Sequence, residues 1–490
     1  MSDLPIYTES IHTNARNALR NTGLRSALSK MAGHYGESLR TIQADSMWET
    51  YRERAREIKR EAINHLDLYL ERFTAKVEEN GGQVHWARDA DEANRIVVEI
   101  ARRAGIREVV KAKTMLGEEI ELNQALERNG IRPIETDLGE FIIQLAGERP
   151  SHIVGPAMHK TRGDVARLFA EKLEPPGAPV SDDPAQLTKI ARRRLRERFA
   201  RAQMGISGAN FAVAETGTIV LVENEGNIRL STTIPRIHVA LIGIEKMIPR
   251  FRDLAVMMRV LPRAGTGQKL TAYISLLNGP AKQNEDGPEE VHVVLVDNGR
   301  VGMLADPKMR EVLNCIRCGA CLNVCPVFHK IGGHAYGWVY SGPIGALVTP
   351  QLLGLERARE LPFASSLCGA CRDVCPVKIN IPDLLLHLRA QVQQTCPAPS
   401  PADSPVPERW VMRLWAWTMT SPRRYVFLSR LARWGQSLFA HGGWIRGLPL
   451  FPLSAWTASR DFPALAPESF RERWAYLTEE KSGGRKIGKR

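Results

Sequence analysis

All eight cysteines of this chain lie between Cys315 and Cys396, and seven of them stand in two short runs, CIRCGACLNVCP at 315–326 and CGACRDVCP at 368–376. The first run has the spacing C-x2-C-x2-C-x3-C-P, which is that of a cubane iron–sulfur site. Three thiolates on one tight loop reach three corners of one cluster. The fourth stands before a proline that turns the chain away, so it serves a second cluster. Two such runs exchange their last cysteines, and this constrains the fold, because both must meet in space. Cys315, Cys318, Cys321 and Cys375 are expected on cluster 1, with Cys325, Cys368 and Cys371 on cluster 2. Zinc would want four ligands, commonly as two separated pairs, and disulfide frameworks belong to small secreted domains, so iron–sulfur is the better reading.

The second run lacks its opening cysteine, and Ser365 stands three residues before Cys368, where that ligand would be. Three outcomes are open. Cluster 2 is a three-iron cluster needing only its three cysteines, a four-iron cluster completed by Ser365, Ser366 or another non-cysteine ligand, or one that recruits Cys396 from further along the chain. The spacer between the runs is rich in helix formers around LGLERARE. After the second run, VKINIPDLLLHLRA passes from an extended segment through Pro382 into a helix. Both features predict an all-α dicluster domain of ferredoxin type rather than a compact β-rich one.

The remainder divides into sections. Residues 1–80 read as a helical, charged arm, with Leu66, Tyr69, Leu70 and Phe73 at helical spacing before a glycine pair. Residues 81–300 alternate helices with compact apolar runs, SHIVGP, NFAVAETGTIVLVEN, IHVALIGIEKMI and VHVVLVDN, which predict an α/β domain with a largely parallel sheet. Asp183 and Pro184 are the expected N-cap and first residue of a helix there. The cysteines occupy 301–395, and a proline-rich linker covers 396–408. Residues 409–490 form a helical, Trp/Arg-rich C-terminal extension with a basic tail.

The net charge is +13, of which +8 falls in residues 401–490, a balance suited to a membrane surface, an acidic partner or nucleic acid. No recognised nucleic-acid module accompanies it, and two paired clusters exceed a structural need, so nucleic-acid binding is the weakest alternative. RWVMRLWAWTMTSPRRYVFLSRLARW interleaves apolar and basic residues, as a docking or interfacial helix does. There is no apolar run of membrane-spanning length and no secretory leader at the N-terminus, so a cytoplasmic location is expected, with peripheral membrane association in view. Neither a dinucleotide fingerprint nor a phosphate loop is present. His159 and Lys160 are read as packed or surface residues. A chain with clusters and no evident hydride acceptor passes electrons for a partner.

ETGTIVLVENEGNIRLSTTIPRIHVALIGIEKMIP at 215–249 resembles the lactate-utilization domain signature. Residues 316–350 and 361–385, with their serine in place of a cysteine, resemble the cluster region of the lactate utilization protein B family. The resemblance implies a CoA-transferase-like α/β fold and a role as the iron–sulfur electron-transfer subunit of a complex oxidising L-lactate to pyruvate. Its implied partners are a cysteine-rich, heterodisulfide-reductase-like subunit and a small lactate-utilization-domain protein, with a quinone or membrane-bound carrier as acceptor. The implied ligands are the seven cysteines of the two runs. An equivalent role for another 2-hydroxy acid such as glycolate is the redox alternative. In the α/β domain, Glu215, Thr216, Gly217 and Arg229, with Glu225, Gly226 and Asn227 on the neighbouring turn, are the candidate small-ligand residues. A strand–turn–strand with a structural glycine is the competing reading of the same segment.

Overall fold

The computed structural model describes residues 10–395 apart from 284, and residues 406–476 apart from 450–453, 455, 456, 458–460 and 475. Cys396, most of the proline-rich stretch and the terminal KSGGRKIGKR lie outside the described residues. The chain forms two compact units, Met1–Cys396 and Pro397–Arg490.

The first unit is built on a six-stranded, wholly parallel sheet. In chain order its strands are β1 (Gln83–Ala87), β2 (Glu108–Lys111), β3 (Arg132–Glu135), β4 (Met204–Ser207), β7 (Ile237–Gly243) and β10 (Glu290–Val296). They lie in the order β1-β10-β7-β4-β2-β3. A parallel sheet is covered on both faces, so its central strands are buried along their length rather than alternating. Every residue of β7 is buried, and so is all of β10 after Glu290. The connecting helices begin where short polar side chains satisfy free backbone N–H groups. Asp89 accepts from Glu92 N–H ahead of helix Ala90–Arg103, and Asp183 accepts from Gln186 N–H with Pro184 at the first helical position.

Two of the apolar runs take other forms. NFAVAETGTIVLVEN is an antiparallel hairpin of β5 (Phe211–Val213) and β6 (Thr218–Glu223), in a separate four-stranded sheet with β8 (Met247–Ile248) and β9 (Tyr273–Leu277). SHIVGP is not a strand. Its backbone turns back on itself, with Ser151 N–H donating to Pro156 O and the His152 ring accepting from Val154 and Gly155 N–H.

The helices Thr22–Gln43 and Trp48–Asn64 contribute Leu28, Tyr35, Trp48 and Ile58 to one apolar core, which also holds β-sheet residues and Phe328, Tyr336 and Leu384. The N-terminal helices, the sheet and the cysteine segment thus share a core. Among the described residues of 301–395 there are helices and 3-10 turns and no strand. The spacer helix is Gly342–Leu353, an apolar segment buried along most of its length, whereas GLERARE after it forms turns.

In the second unit, helices Val406–Met419 and Pro422–Gln436 precede three very short antiparallel strands, Ala440–His441, Trp444–Ile445 and Phe462–Pro463, so this extension is not purely helical. Trp410, Trp415, Trp417 and Trp434 are each more than half exposed. No helix among the described residues is long and apolar enough to cross a membrane.

Candidate functional site

Each cysteine loop is set by two left-handed residues. In the first, Arg317 (φ 58°) and Gly319 (φ 78°) reverse the chain between Cys315 and helix Ala320–Asn323; in the second, Leu367 (φ 55°) and Gly369 (φ 87°) do the same before helix Ala370–Val374. Of five non-glycine residues with positive φ among the described residues, Arg317, Leu367 and Lys378 lie in or beside these loops. Such strain persists where the surroundings impose it, commonly at functional sites. The two short helices pack on each other and bring the runs together.

Cys315, Cys318, Cys321 and Cys375 line one small cavity, walled otherwise by apolar residues such as Ile344, Val377 and Ile379. Cys325, Cys368 and Cys371 form the second group. Burial first, then the neighbouring thiols Cys368 for Cys325 and Cys325 for Cys371, raises both pKa values, that of Cys371 to about 12. Burial likewise pushes Cys375 up to about 11 and raises Cys318 and Cys321, and Cys321 feels both Cys375 of its own group and Cys371 of the other. Buried thiols held this way ionise by binding metal rather than by losing protons to water.

The loops also supply donors to sulfur. Arg317 N–H points to Cys315 Sγ at 3.4 Å, Phe328 N–H to Cys325 Sγ at 3.5 Å and Ile379 N–H to Cys375 Sγ at 3.4 Å. The buried Tyr336 hydroxyl lacks a nitrogen or oxygen partner and lies beside Cys325. Among the described residues no three His, Cys, Asp or Glu side chains converge as around a single ion. Thiolates at the corners of a multi-iron cage stand further apart than that. The donor set, the cavity and the orphaned hydroxyl fit iron–sulfur clusters.

Ser365 occupies the place in the second loop that Cys315 holds in the first. Leu367 N–H donates to Ser365 Oγ at 3.1 Å, as Arg317 N–H does to Cys315 Sγ. Arg389 pins this turn by donating to Pro362 O and Ser365 O. Ser366 is exposed, and Cys396 is outside the described residues.

A second, larger cavity, of about 300 Å³, opens at the carboxy-terminal edge of the parallel sheet. Segments following β2 (Lys113, Thr114), β4 (Gly208–Asn210), β7 (Glu245, Lys246) and β10 (Arg300) line it, as do Ile316, Arg317 and Cys318. The last three line the cysteine cavity as well, so they form the partition between the two. Open parallel sheets bind ligands at this edge.

A buried ion network stiffens the partition. Arg300 makes a two-pronged pair with Glu119 at 2.8 Å on each side and meets Glu245 at 2.6 Å. Tyr340 donates to Glu119 at 2.6 Å, and its ring lies 4.4 Å under the Arg317 guanidinium. Burial pulls the Lys246 ammonium down to about 8 against the pull of Glu245. Despite its burial Glu245 is held down at about 2, by Arg300 and then Arg317.

The cavity takes in Glu225 and Asn227 but not Glu215, Thr216, Gly217 or Arg229. Glu215 accepts from Phe251 N–H, Thr216 bonds Thr218, Gly217 packs on the backbone of Lys76 and Val77, and Arg229 stacks on Tyr273. His159 is tied to Ser151 and Glu148 at 2.8 Å each, and Lys160 pairs with Glu148. Sequence reasoning does not single out Arg317, Lys246 or Arg300. Their signal is charge at the end of an apolar strand run, as in IGIEKM and VLVDNGR, and the arginine inside the first cysteine loop.

Three family models match consecutive stretches: the LUD domain over 70–296, a 4Fe-4S dicluster domain over 311–379 and the C-terminal domain of lactate utilisation protein B over 388–477. Lactate utilization protein B of Bacillus thuringiensis (strain Al Hakam) and of Bacillus cereus (strain AH187) are each 41% identical over 487 residues, covering 99% of this chain and 100% of theirs. Among solved structures, a DUF162 family protein from Deinococcus radiodurans aligns with 47% of this chain and 98% of its own, at 16% identity and a TM-score of 0.24, too low to bear on the fold.

Proposed function

The chain belongs to the lactate utilization protein B family, and on that basis we propose that it is the iron–sulfur electron carrier of a multi-subunit system oxidising L-lactate to pyruvate. It carries a 4Fe-4S dicluster domain. The observation that supports this most is the meeting of Cys315, Cys318 and Cys321 with the distant Cys375 around one cavity. In this reading those four hold cluster 1, and Cys325, Cys368 and Cys371 hold cluster 2. What the bound group supplies is one-electron storage at two neighbouring points. The protein's part is to keep the sulfurs dry, to donate backbone N–H groups to them, and to set cationic Lys246 and Arg317 near Cys315.

Ser365 completes cluster 2 as its fourth, oxygen ligand, on the strength of the turn it shares with Cys315. The α/β domain's CoA-transferase-like character is part of the same reading, but Glu215, engaged with Phe251 N–H, is not offered as its nucleophile. The partners are a cysteine-rich subunit and a small lactate-utilization-domain protein, with a quinone-linked acceptor at the inner face of the membrane. The exposed tryptophans of the second unit are the surface offered to them.

The test is anaerobic reduction of the purified chain, followed by electron paramagnetic resonance. L-lactate with both partner subunits should reduce it, and Ser365→Ala should exchange a four-iron for a three-iron signal. Reduction by dithionite alone, or by glycolate in preference to lactate, would overturn the lactate assignment. An unchanged four-iron signal in Ser365→Ala would remove the serine from the ligand set.

A further inference from the structure

The cavity at the sheet edge has features that electron carriage by itself leaves unexplained. A carrier needs apolar cover over its clusters, yet here a pocket of about 300 Å³ is held open on the other side of a three-residue wall, Ile316–Cys318. That volume lies at the low end of those that take small ligands. Its polar groups are divided. On the cluster side Lys246 lines the cavity with an ammonium that makes no hydrogen bond or ion pair among the described residues. Beside it, Arg317 keeps a buried Nη1 without a partner, while its guanidinium lies 4.4 Å over the Tyr340 ring and its Nη2 3.7 Å from Glu245. Arg300 is already engaged at all three nitrogens, by Glu119, Glu245 and Asp297 O, which take four of its five N–H groups.

On the far side the carboxylates are already used. Glu223 accepts from Ile228 and Arg229 N–H at 2.8 Å each, Glu225 from Leu138 N–H at 3.2 Å, and Asp137 from Glu140 N–H at 3.1 Å. Each still has acceptor capacity for a hydroxyl. The cluster side therefore offers the Lys246 and Arg317 donors beside Glu245, and the far side offers carboxylate acceptors together with the Lys113 ammonium, which donates to Val154 O.

We propose that this cavity is a binding site for a small monocarboxylate of the 2-hydroxy-acid or 2-oxo-acid class, its carboxylate held by Lys246 and Arg317, with a 2-hydroxyl donating to Glu225 or a 2-oxo oxygen accepting from Lys113 on the far side. A flat guanidinium held by stacking is preorganised for a carboxylate. The acid class rests on the lactate reading above, whereas the site itself rests on the cavity. Bound there, the ligand is separated from the Cys318 thiolate only by the wall to which that residue belongs, so the carrier senses directly whether substrate or product is present.

The experiment is titration of the iron-loaded full chain, under anaerobic conditions, with L-lactate, pyruvate and the uncharged analogue lactamide. Calorimetry follows binding, and paramagnetic resonance follows the dithionite-reduced clusters. The acids should bind saturably, lactamide at least tenfold more weakly, and pyruvate should shift the signal of one cluster. Lys246→Gln should weaken binding at least tenfold. Ala209→Phe, which fills the cavity from its other side, should abolish it, and both variants should keep the parent's iron content. Absence of saturable binding at millimolar concentration to an iron-loaded chain overturns the site and leaves the electron-carrier reading standing. So does binding that neither variant alters, or a Lys246→Gln variant that changes only the cluster potential, which would make the lysine a counter-charge to the cluster. A chain that takes up no iron overturns the electron-carrier reading itself.

Discussion

Among single residues, the groups that fix the site are charges buried where a carboxylate or cation by itself would be too costly. Arg300 joins Glu119 and Glu245, all three almost fully buried. Removing one member of such a network leaves the others uncompensated, at a cost of about 3–5 kcal/mol. Arg300→Met should therefore destabilise the first unit by that much in urea unfolding, and a loss smaller than about 1 kcal/mol would show the network to be dispensable. Histidines give the pH dependence. Burial holds His238 at about 4 and His152 at about 3, below the ordinary 6.5. Both are neutral in the fold, so below pH 6.5 the unfolded chain takes up protons the folded chain refuses. Stability is full above about 6.5 and falls as the pH drops toward 4. His238 alone accounts for roughly 3 kcal/mol of that loss, the free-energy equivalent of its lowered proton affinity. His238→Asn should flatten the fall between pH 7 and 5, and an unchanged slope would contradict the assignment. The cysteines were legible in the sequence because their ligand spacing is local. The Arg300 network was not, because its members are brought together only by strands that pair far apart along the chain.

Among the elements, the paired loops reuse one backbone design, and their glycines differ in a way sequence cannot show. Gly319 and Gly369 both have positive φ, a strain of about 1–2 kcal/mol for any other residue. Only at Gly319 would a Cβ also meet Val154 at 3.0 Å and His152 at 3.3 Å; at Gly369 its nearest neighbour is the end of Arg372 at 4.0 Å. Gly319→Ala should thus lose more iron than Gly369→Ala, and iron analysis of the two variants decides it. Periodicity gave the parallel strands β7 and β10 and the helix face of Leu66, Tyr69, Leu70 and Phe73. It misplaced SHIVGP, which turns back beside the cysteine loop with Ile153 buried and Val154 exposed rather than entering a sheet, and it could not tell that β5 and β6 pair in a second sheet. Burial alone makes those runs look alike, whereas pairing partners are a tertiary choice.

Taken entire, the protein joins an α/β sheet to a cysteine segment within one unit and offers a surface of exposed aromatics on another. Helix Val406–Met419 leaves Trp410, Leu414, Trp415 and Trp417 more than half exposed, an apolar surface that marks an interaction site. Trp415→Ala with Trp417→Ala should reduce co-purification with the partner subunits at least tenfold without changing iron content, and undiminished recovery of the complex would move docking elsewhere. The composition of this end was legible; its second element, the small sheet, was not, since strands of two residues leave no periodic pattern. The electron-carrier reading depends on two clusters sitting side by side in the first unit. Iron and sulfide analysis of protein purified without oxygen, with paramagnetic resonance of the reduced state, decides whether they do. Roughly eight irons per chain and the signal of two four-iron clusters whose spins interact are expected. Zinc in place of iron, or a single isolated cluster, would refute the arrangement.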